Sequence, residues 1–231
     1  MKSSLDEVRY RLWMKGLQTL GKTLLHLGYR YQVEGVEFIP REGAALIVSN
    51  HVSFHDWLFL GAALPRRPRF VMHQHHHQYP LLRAFFEASR VIPIAPKKQD
   101  PARLQAAMES IDQALSAGEV VVIFPEGNMT PDGHLQAFRP GLERIVQRRP
   151  VPVIPVSMKG LFGSFFSKAY GEPMTSRPRR IRAHVKVEFG APLDPREASA
   201  RLVKERIARM LGEPDVRAEV DADAELAAEA P

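Results

Sequence analysis

The sequence predicts an α/β fold: a mainly parallel mixed sheet flanked by helices, with an amphipathic helix at the N-terminus. Two observations support this prediction. Segments 44–48 and 120–124 are continuous runs of apolar residues, which is typical of strands buried on both faces. Segments with helical features separate such runs; one has Pro101 in its first turn and Gly118 just past its end. Buried strands that alternate with helices favour a parallel sheet covered on both faces.

The individual elements follow from their own patterns. A short alternating run predicts the first strand at 31–34, and runs rich in apolar residues predict the others. These other strands are expected at 44–48, 69–72, 91–94, 120–124, 153–156 and 184–189. Helices are expected at 56–64, 81–88, 101–117, 141–148 and 195–211. The sequence has neither an internal repeat nor an interdomain linker here, so residues 31–212 are expected to form one domain.

Residues 1–30 predict a separate amphipathic helix. Apolar residues from Leu5 to Leu27 recur at roughly helical spacing, with Trp13 beside them and basic residues between. Such a helix can lie in a membrane interface or pack on the core, and the spacing alone leaves both interpretations open. The interspersed charges argue against a secretory signal. The sequence contains no run of about 18 uncharged apolar residues, so a simple transmembrane helix is not predicted.

The charge is distributed unevenly along the chain. Its net charge is +6, from 32 basic and 26 acidic residues. Residues 213–231 contain seven of the acids and only Arg217 as a base, and they are expected to form an acidic disordered tail. The remaining 31 basic (32 − 1) and 19 acidic (26 − 7) residues give +12. Such a surplus attracts anionic partners: nucleic acid, anionic lipid or an acidic carrier protein. Since no nucleic-acid recognition motif accompanies it, nucleic acid is not the expected partner.

A histidine and an aspartate follow the strand predicted at 44–48. His51 and Asp56 are five residues apart, a spacing that would separate them by about 140° on a continuous helix. They can meet if the chain turns between them, with Ser53 as the N-cap and Asp56 in the first helical turn. Asp56 could then accept a hydrogen bond from one ring nitrogen of His51 and leave the other free as a general base. An isolated pair at this spacing more often belongs to a simple capping loop, in which Asp56 completes the cap with Ser53 and His51 is an ordinary loop residue.

Three further polar segments follow predicted strands. Glu126, Gly127, Asn128 and Thr130 come after 120–124, where they can form a binding site or an ordinary turn. Lys97 and Lys98 follow 91–94 and can hold a phosphate or form a solvated basic turn. Pro155 punctuates the strand at 153–156. Sites in such sheets form at the carboxyl ends of the strands, where most of these residues are expected.

The order of these segments resembles the glycerophospholipid acyltransferase family. Four blocks carry the resemblance: His-x4-Asp, Ile-Pro-Ile, Phe-Pro-Glu-Gly and Val-Ile-Pro-Val, at matching separations between Ile39 and Pro192. The resemblance implies that His51 is the catalytic base and Asp56 its orienting partner. It also implies that Glu126 and Gly127 belong to an acceptor-binding segment, and that Pro155 belongs to a block linked to acyl-donor binding or active-site shape.

The sequence departs from the family pattern at two places. The second block commonly ends in an arginine that contacts the acceptor phosphate, but Ala95 and Pro96 intervene here before Lys97. The third block commonly continues Thr-Arg-Ser, whereas Asn128 and Met129 occupy the first two positions here. These departures favour a lysophospholipid with a larger headgroup as acceptor. Lysophosphatidate, or a non-catalytic lipid-binding role, is the alternative.

The expected reaction moves a fatty acyl group from a thioester to a lysophospholipid hydroxyl. The thioester is acyl-CoA or an acyl carrier protein, and neither a metal nor another cofactor is expected. Because the chain has no cysteine, a thiol nucleophile is excluded. His73, His75 and His77 would share one face of a strand, yet no second ligand cluster supports a metal site. The protein is expected at the cytoplasmic face of a membrane, peripherally bound to its anionic surface.

Overall fold

The computed structural model describes residues 16, 19, 23, 25–74, 89–177 and 182–213. Its strands are β1 (Arg30–Glu34), β2 (Ala45–Ser49), β3 (Pro68–His73), β4 (Ile92–Ile94), β5 (Val120–Ile123), β6 (Val153–Lys159) and β7 (His184–Phe189). Its helices are α1 (Asp56–Ala63), α2 (Pro101–Ser116), α3 (Gly141–Arg148) and α4 (Ala200–Leu211), with a short 3-10 turn at Val36–Phe38. Strands and helices alternate through most of this chain, as the sequence predicts.

The strands form one seven-stranded mixed sheet in the order β1-β7-β6-β2-β5-β3-β4. All neighbouring pairs are parallel except β6 and β7, which are antiparallel. The predicted fold class is therefore confirmed. Strands β2 and β5 lie side by side near the middle, so the loops that follow them meet at the same edge of the sheet.

Helices cover both faces of the sheet. Alternate residues of β2 point to opposite sides: Ile47 packs into a core with helix α1, and Val48 packs into a core with α2, α3 and α4. The central strands are consequently buried on both faces, and all four residues of β5 are buried. This burial is the reason for their continuous apolar sequences.

Most element boundaries agree with the sequence within one or two residues, but the last helix does not. A helix is predicted from 195, whereas α4 begins at Ala200, because the Ser199 side chain caps it by accepting from the Leu202 N–H at 3.2 Å. Residues 194–198 form a turn instead, in which the Arg196 N–H donates to the Asp194 side chain at 2.8 Å. Strand β6 also runs three residues further than predicted. The helix predicted at 81–88 lies outside the described residues.

The two terminal predictions fall largely outside the described residues. Residues 25–28 are helical, but most of the predicted amphipathic helix belongs to the undescribed part. None of the helices in the described ranges is long and apolar enough to cross a membrane. Glu213, the first residue of the predicted acidic tail, lies against the body: its carboxylate accepts from the Leu135 N–H at 3.2 and 3.3 Å. Residues 214–231 are not described.

Candidate active site

The site is built around His51, directly beyond the end of β2. Its Nδ1 lies 2.8 Å from Asp56 Oδ2, so the contact anticipated from the sequence is present. The same carboxylate oxygen accepts the backbone N–H groups of Val52 at 2.7 Å and Ser53 at 3.0 Å. These bonds wrap the loop around Asp56, whose side chain is fully buried at the first turn of α1. A carboxylate is stabilised there by the helix dipole and by three donors.

The predicted role of Ser53 as an N-cap is wrong. Helix α1 has His55 at its N-cap position and no side-chain cap. The Ser53 hydroxyl accepts instead from the His55 N–H at 3.3 Å and donates to the Phe166 carbonyl at 3.3 Å. Because the Asp56 carboxylate already binds the loop N–H groups, the turn that brings His51 and Asp56 together forms without a serine cap.

The imidazole of His51 is held in a fixed plane with one edge open. Its ring stacks on Phe124, with centroids 4.5 Å apart and an interplanar angle of 26°. The side chain remains 23% exposed, whereas Asp56 is 0% exposed. Donation from Nδ1 to Asp56 leaves Nε2 as the lone-pair nitrogen, and Nε2 has no hydrogen-bond partner among the described residues. This is the geometry of a general base that accepts a proton from a bound hydroxyl.

Glu126 holds the backbone of His51 rather than facing the open edge. One carboxylate oxygen accepts the His51 N–H at 2.6 Å and the other accepts the Gln136 N–H at 2.9 Å. The residue is only 5% exposed. Burial is the largest influence on its pKa and raises it to about 7, against the two backbone hydrogen bonds, which lower it. The acceptor-binding role predicted for Glu126 is thus less well supported by its geometry than a positioning role.

Two other residues fix the same loop. The Thr130 N–H donates to the His51 carbonyl at 2.8 Å, while its hydroxyl donates to Asp132 at 2.8 Å. Thr130 is 1% exposed, so its predicted contact with substrate is not supported by this placement. On the other side, the Asn50 side chain forms two bonds with the backbone of Met158 in β6, at 3.0 and 2.8 Å. His51 is therefore tied through its neighbours to β5 and β6.

Gly127 and Asn128 lie on the exposed side of the same turn. Gly127 has a φ of 72°, and a Cβ there would lie 2.6 Å from Arg139 Nε and 2.7 Å from Cζ. Only glycine combines this backbone conformation with so close a guanidinium. With its amide oxygen turned toward Arg139, Asn128 accepts from Nη2 at 3.3 Å and donates to the Gly127 carbonyl at 3.1 Å. Arg139 had no distinguishing signal in the sequence, because it lies twelve residues beyond Gly127 in a loop.

The remaining predicted residues lie farther from His51. Lys97 and Lys98 are exposed in the turn after β4, the edge strand three positions from β2. At about 4.8 Å per strand, this separates them from β2 by roughly 14 Å along the sheet. Pro155 lies inside β6, beside Val48 rather than at the strand's carboxyl end, and its ring packs toward Gly190. Their predicted roles in binding remain predictions.

An aromatic segment after β6 forms one wall beside the site. Phe166 lies against the His55 ring with centroids 3.6 Å apart, and its carbonyl accepts the Phe54 N–H at 2.9 Å. Burial lowers the pKa of His55 to about 4, so this ring is neutral at physiological pH. Farther along the segment, Tyr170 and Met174 are about half exposed, at 52% and 50%. The segment thus combines a packed inner side with an apolar outer surface.

The histidine-rich segment does not form a metal cluster in the parts of the chain that are described. His73 Nε2 lies 3.2 Å from the Gln99 side-chain oxygen, and His75 and His77 are outside the described residues. No group of three potential ligands from His, Cys, Asp or Glu occurs elsewhere in those parts.

Comparison with known proteins identifies the family. A family model described as Acyltransferase matches residues 30–159, more than half of the chain. The chain belongs to the Acyltransferase family. The resemblance inferred from its four blocks is therefore confirmed at the level of the family. The matched region contains His51, Asp56 and Glu126 together with all of β1 to β6.

Several similar proteins have acyltransferase names. The 1-acyl-sn-glycerol-3-phosphate acyltransferase of Pseudomonas aeruginosa is 27% identical over 70% of this chain and 58% of its own length. The chloroplastic enzyme of that name from Arabidopsis thaliana is 28% identical, over 57% of this chain and 36% of its own length. Lysophosphatidylcholine acyltransferase 2 of Rattus norvegicus is 27% identical over 59% of this chain and 25% of its own length. The chain thus spans only part of the length of these relatives.

A solved structure shares the fold of this chain. The crystal structure of the 1-acyl-sn-glycerophosphate acyltransferase from Thermotoga maritima superposes with a TM-score of 0.74, covering 92% of this chain and 83% of that one. The sequence identity is 22%. This likeness confirms the mainly parallel mixed sheet with its flanking helices.

Proposed function

We propose that this acyltransferase moves a fatty acyl group from a thioester to the free hydroxyl of a lysophospholipid at a membrane surface. The observation that carries the proposal is the hydrogen bond of 2.8 Å between His51 Nδ1 and a fully buried Asp56, with the other edge of the imidazole open. Family membership supports the reaction class, and the names of the relatives support a glycerolipid acceptor.

The mechanism requires no acyl-enzyme. The acceptor hydroxyl donates to His51 Nε2, which takes its proton as the oxygen attacks the thioester carbonyl and the new C–O bond forms. Asp56 stabilises the imidazolium through the Nδ1 hydrogen bond. When the tetrahedral intermediate collapses, the C–S bond breaks and the imidazolium returns the proton to the departing thiolate. The Ser53 hydroxyl is engaged with Phe166, which favours this direct transfer over attack by a serine.

Membrane association is part of the proposal. The body outside the acidic tail carries +12, which suits an anionic lipid surface. Tyr170 and Met174 add exposed apolar area beside the site. The same basic surface suits the phosphates of coenzyme A and the acidic surface of an acyl carrier protein, and we propose one of these as the donor. We propose a peripheral position on the cytoplasmic face, and flotation with liposomes of different anionic lipid content can check the membrane binding itself.

The acceptor is either a lysophospholipid with a substituted headgroup or lysophosphatidate. Asn128 and Met129 in the third block favour the first, and the names of the Arabidopsis and Pseudomonas relatives favour the second. Purified protein should be incubated with acyl-CoA or acyl carrier protein donors and a panel of both acceptors, and followed by thiol release and product mass spectrometry. The preferred acceptor decides between the two.

His51→Ala is the central test of the mechanism. Loss of a general base should lower the rate by roughly 10²–10⁴-fold. His184→Ala is the matched control, because His184 is an exposed histidine of β7 at the same edge of the sheet. If His51→Ala folded normally and transferred acyl groups at the wild-type rate, the proposed base would be wrong. If folded wild type bound liposomes and transferred nothing to any acceptor, a non-catalytic lipid-binding role would replace the proposal.

A further inference from the structure

Arg139 is the cation that lies against the third block, although it is not part of that block. Its guanidinium covers Gly127 so closely that a single added methyl group would overlap it. The Arg139 N–H also donates to the Pro125 carbonyl at 3.0 Å, so the backbone beneath the side chain is fixed to the same turn. The side chain therefore lies over Gly127, the residue that follows Glu126 in the chain, and Glu126 positions His51.

Among the described residues, no acid neutralises the charge of Arg139. Within the described ranges, no carboxylate forms an ion pair with this exposed guanidinium, and the neutral Asn128 amide can accept from its Nη2 at 3.3 Å. Glu126 lies close in sequence to Gly127, but both of its oxygens accept backbone N–H groups inside the protein. An arginine oriented in this way retains free N–H donors that can bind an anion in a bidentate manner.

Lys97 and Lys98 are less well placed than Arg139 for an acceptor bound at His51. Lys97 and Lys98 lie beyond β4, two strands from β5, and Met129 supplies no charge within the turn. A lysophospholipid carries its phosphate a few bonds from the hydroxyl that reacts. Its anion therefore has to lie near the turn that follows β5 or the loop that follows β2.

We propose that Arg139 binds the acceptor phosphate and so determines that the acceptor is a phospholipid. Gly127 serves this role by leaving room for the guanidinium. The inference rests on the proposed function. In this chain Met129 stands where the third block commonly has an arginine, and Arg139 supplies a cation beside that block instead. Arg139 acts in binding, and the proton transfer at His51 does not depend on it.

The test compares acceptors with and without a phosphate. For Arg139→Gln we expect KM for lysophosphatidate and lysophosphatidylcholine to rise about 10-fold or more, with kcat nearly unchanged, because a charge-assisted contact is lost. Transfer to monoacylglycerol, which has no phosphate, should stay within about 2-fold. Arg139→Lys should recover part of the loss. Arg144→Gln is the matched control: it removes the same charge from an exposed position on α3 and should change neither constant.

Gly127→Ala provides an independent probe of the same contact. The added methyl group would displace the guanidinium, so this variant should also raise KM for phosphate-bearing acceptors. The double variant with Arg139→Gln should raise KM by much less than the product of the two single effects, because both substitutions remove the same interaction.

Equilibrium binding of a short-chain lysophosphatidate, measured by calorimetry, tests the inference without turnover. Binding weakened about 10-fold or more by Arg139→Gln and unchanged by Arg144→Gln supports it. Unchanged binding and KM in Arg139→Gln would overturn it while leaving the proposed function intact. Equal losses with all three acceptors would overturn it as well, because they indicate a structural role. Failure of the proposed function is a separate result, seen as wild-type protein that binds the lipid and transfers nothing.

Discussion

The buried carboxyl of Glu126 makes stability depend on pH. Burial raises its pKa to about 7 from the ordinary value of 4.5, so the folded protein holds this proton more tightly than the unfolded chain does. Stability contributed by an acid of this kind is present below pH 4.5 and is lost as the pH rises through about 7. One pKa unit corresponds to about 1.4 kcal/mol, so the stability that Glu126 contributes and loses between these two pH values is roughly 3 kcal/mol.

Glu126→Gln should remove this dependence. The amide of glutamine cannot ionise. The two carboxylate oxygens of Glu126 accept the N–H groups of His51 and Gln136, and in the variant the NH₂ group of the amide faces one of these two donors. Losing that acceptor costs about 1–3 kcal/mol at every pH. We therefore expect the variant to be less stable than wild type at pH 5, and the difference to shrink or reverse by pH 8.

Urea denaturation of both proteins from pH 5 to pH 8 measures the effect. The difference in unfolding free energy between them isolates Glu126, because other titrating groups such as His55 are common to both. Glu37→Gln, an exposed glutamate of the 3-10 turn, is the control and should follow the wild-type profile. Parallel profiles for wild type and Glu126→Gln would refute the assignment of a raised pKa to this carboxyl.

Two further variants test the supports of His51. Asp56→Asn should still fold, because its oxygen can replace Oδ2, but its NH₂ group then takes the buried place of Oδ1 without a partner among the described groups. The lost charge should lower kcat by roughly 10²–10⁴-fold in protein that is folded, though less stable, at the assay temperature, and a kcat near wild type would show that the imidazolium needs no anion. Asn50→Ala should lower the unfolding free energy by roughly 2–4 kcal/mol, because it leaves the backbone N–H and carbonyl of Met158 without the Asn50 partner. Exposed Asn128→Ala is its control in urea denaturation, and equal stabilities of the two variants would contradict the supporting role of Asn50.

The sheet could be predicted from the sequence because strands that are buried on both faces have continuous apolar sequences. Strand β5 is wholly apolar and β2 is apolar up to its last residue, Ser49, and the predicted boundaries of both are correct to within one residue. The start of α4 was not, because the capping by Ser199 depends on a side-chain orientation that competes with an equally plausible turn at Asp194. Apolar periodicity indicates that a helix exists more reliably than where it starts.

The contact between His51 and Asp56 could also be predicted, but the residues that support it could not. His51 and Asp56 are close in sequence, so one turn decides whether they meet. Glu126 was singled out as a site residue, yet its partners are backbone N–H groups, and backbone donors have no signature in a sequence. Contacts such as that between Arg139 and Gly127 join positions twelve residues apart through a loop, where no periodicity constrains the spacing.

The division between buried supports and exposed contacts suggests how such a site can change acceptors. His51 is fixed through its ring by Asp56 and through its backbone by Glu126 and Thr130, and these three residues are nearly inaccessible. A substitution among them disturbs the base and leaves a buried polar group unpaired, whatever the substrate. Asn128 and Arg139 are exposed, so substitutions there alter only what the rim binds. Under the proposed function, the chemistry is therefore confined to the part of the site that tolerates least change, and acceptor choice to the part that tolerates most.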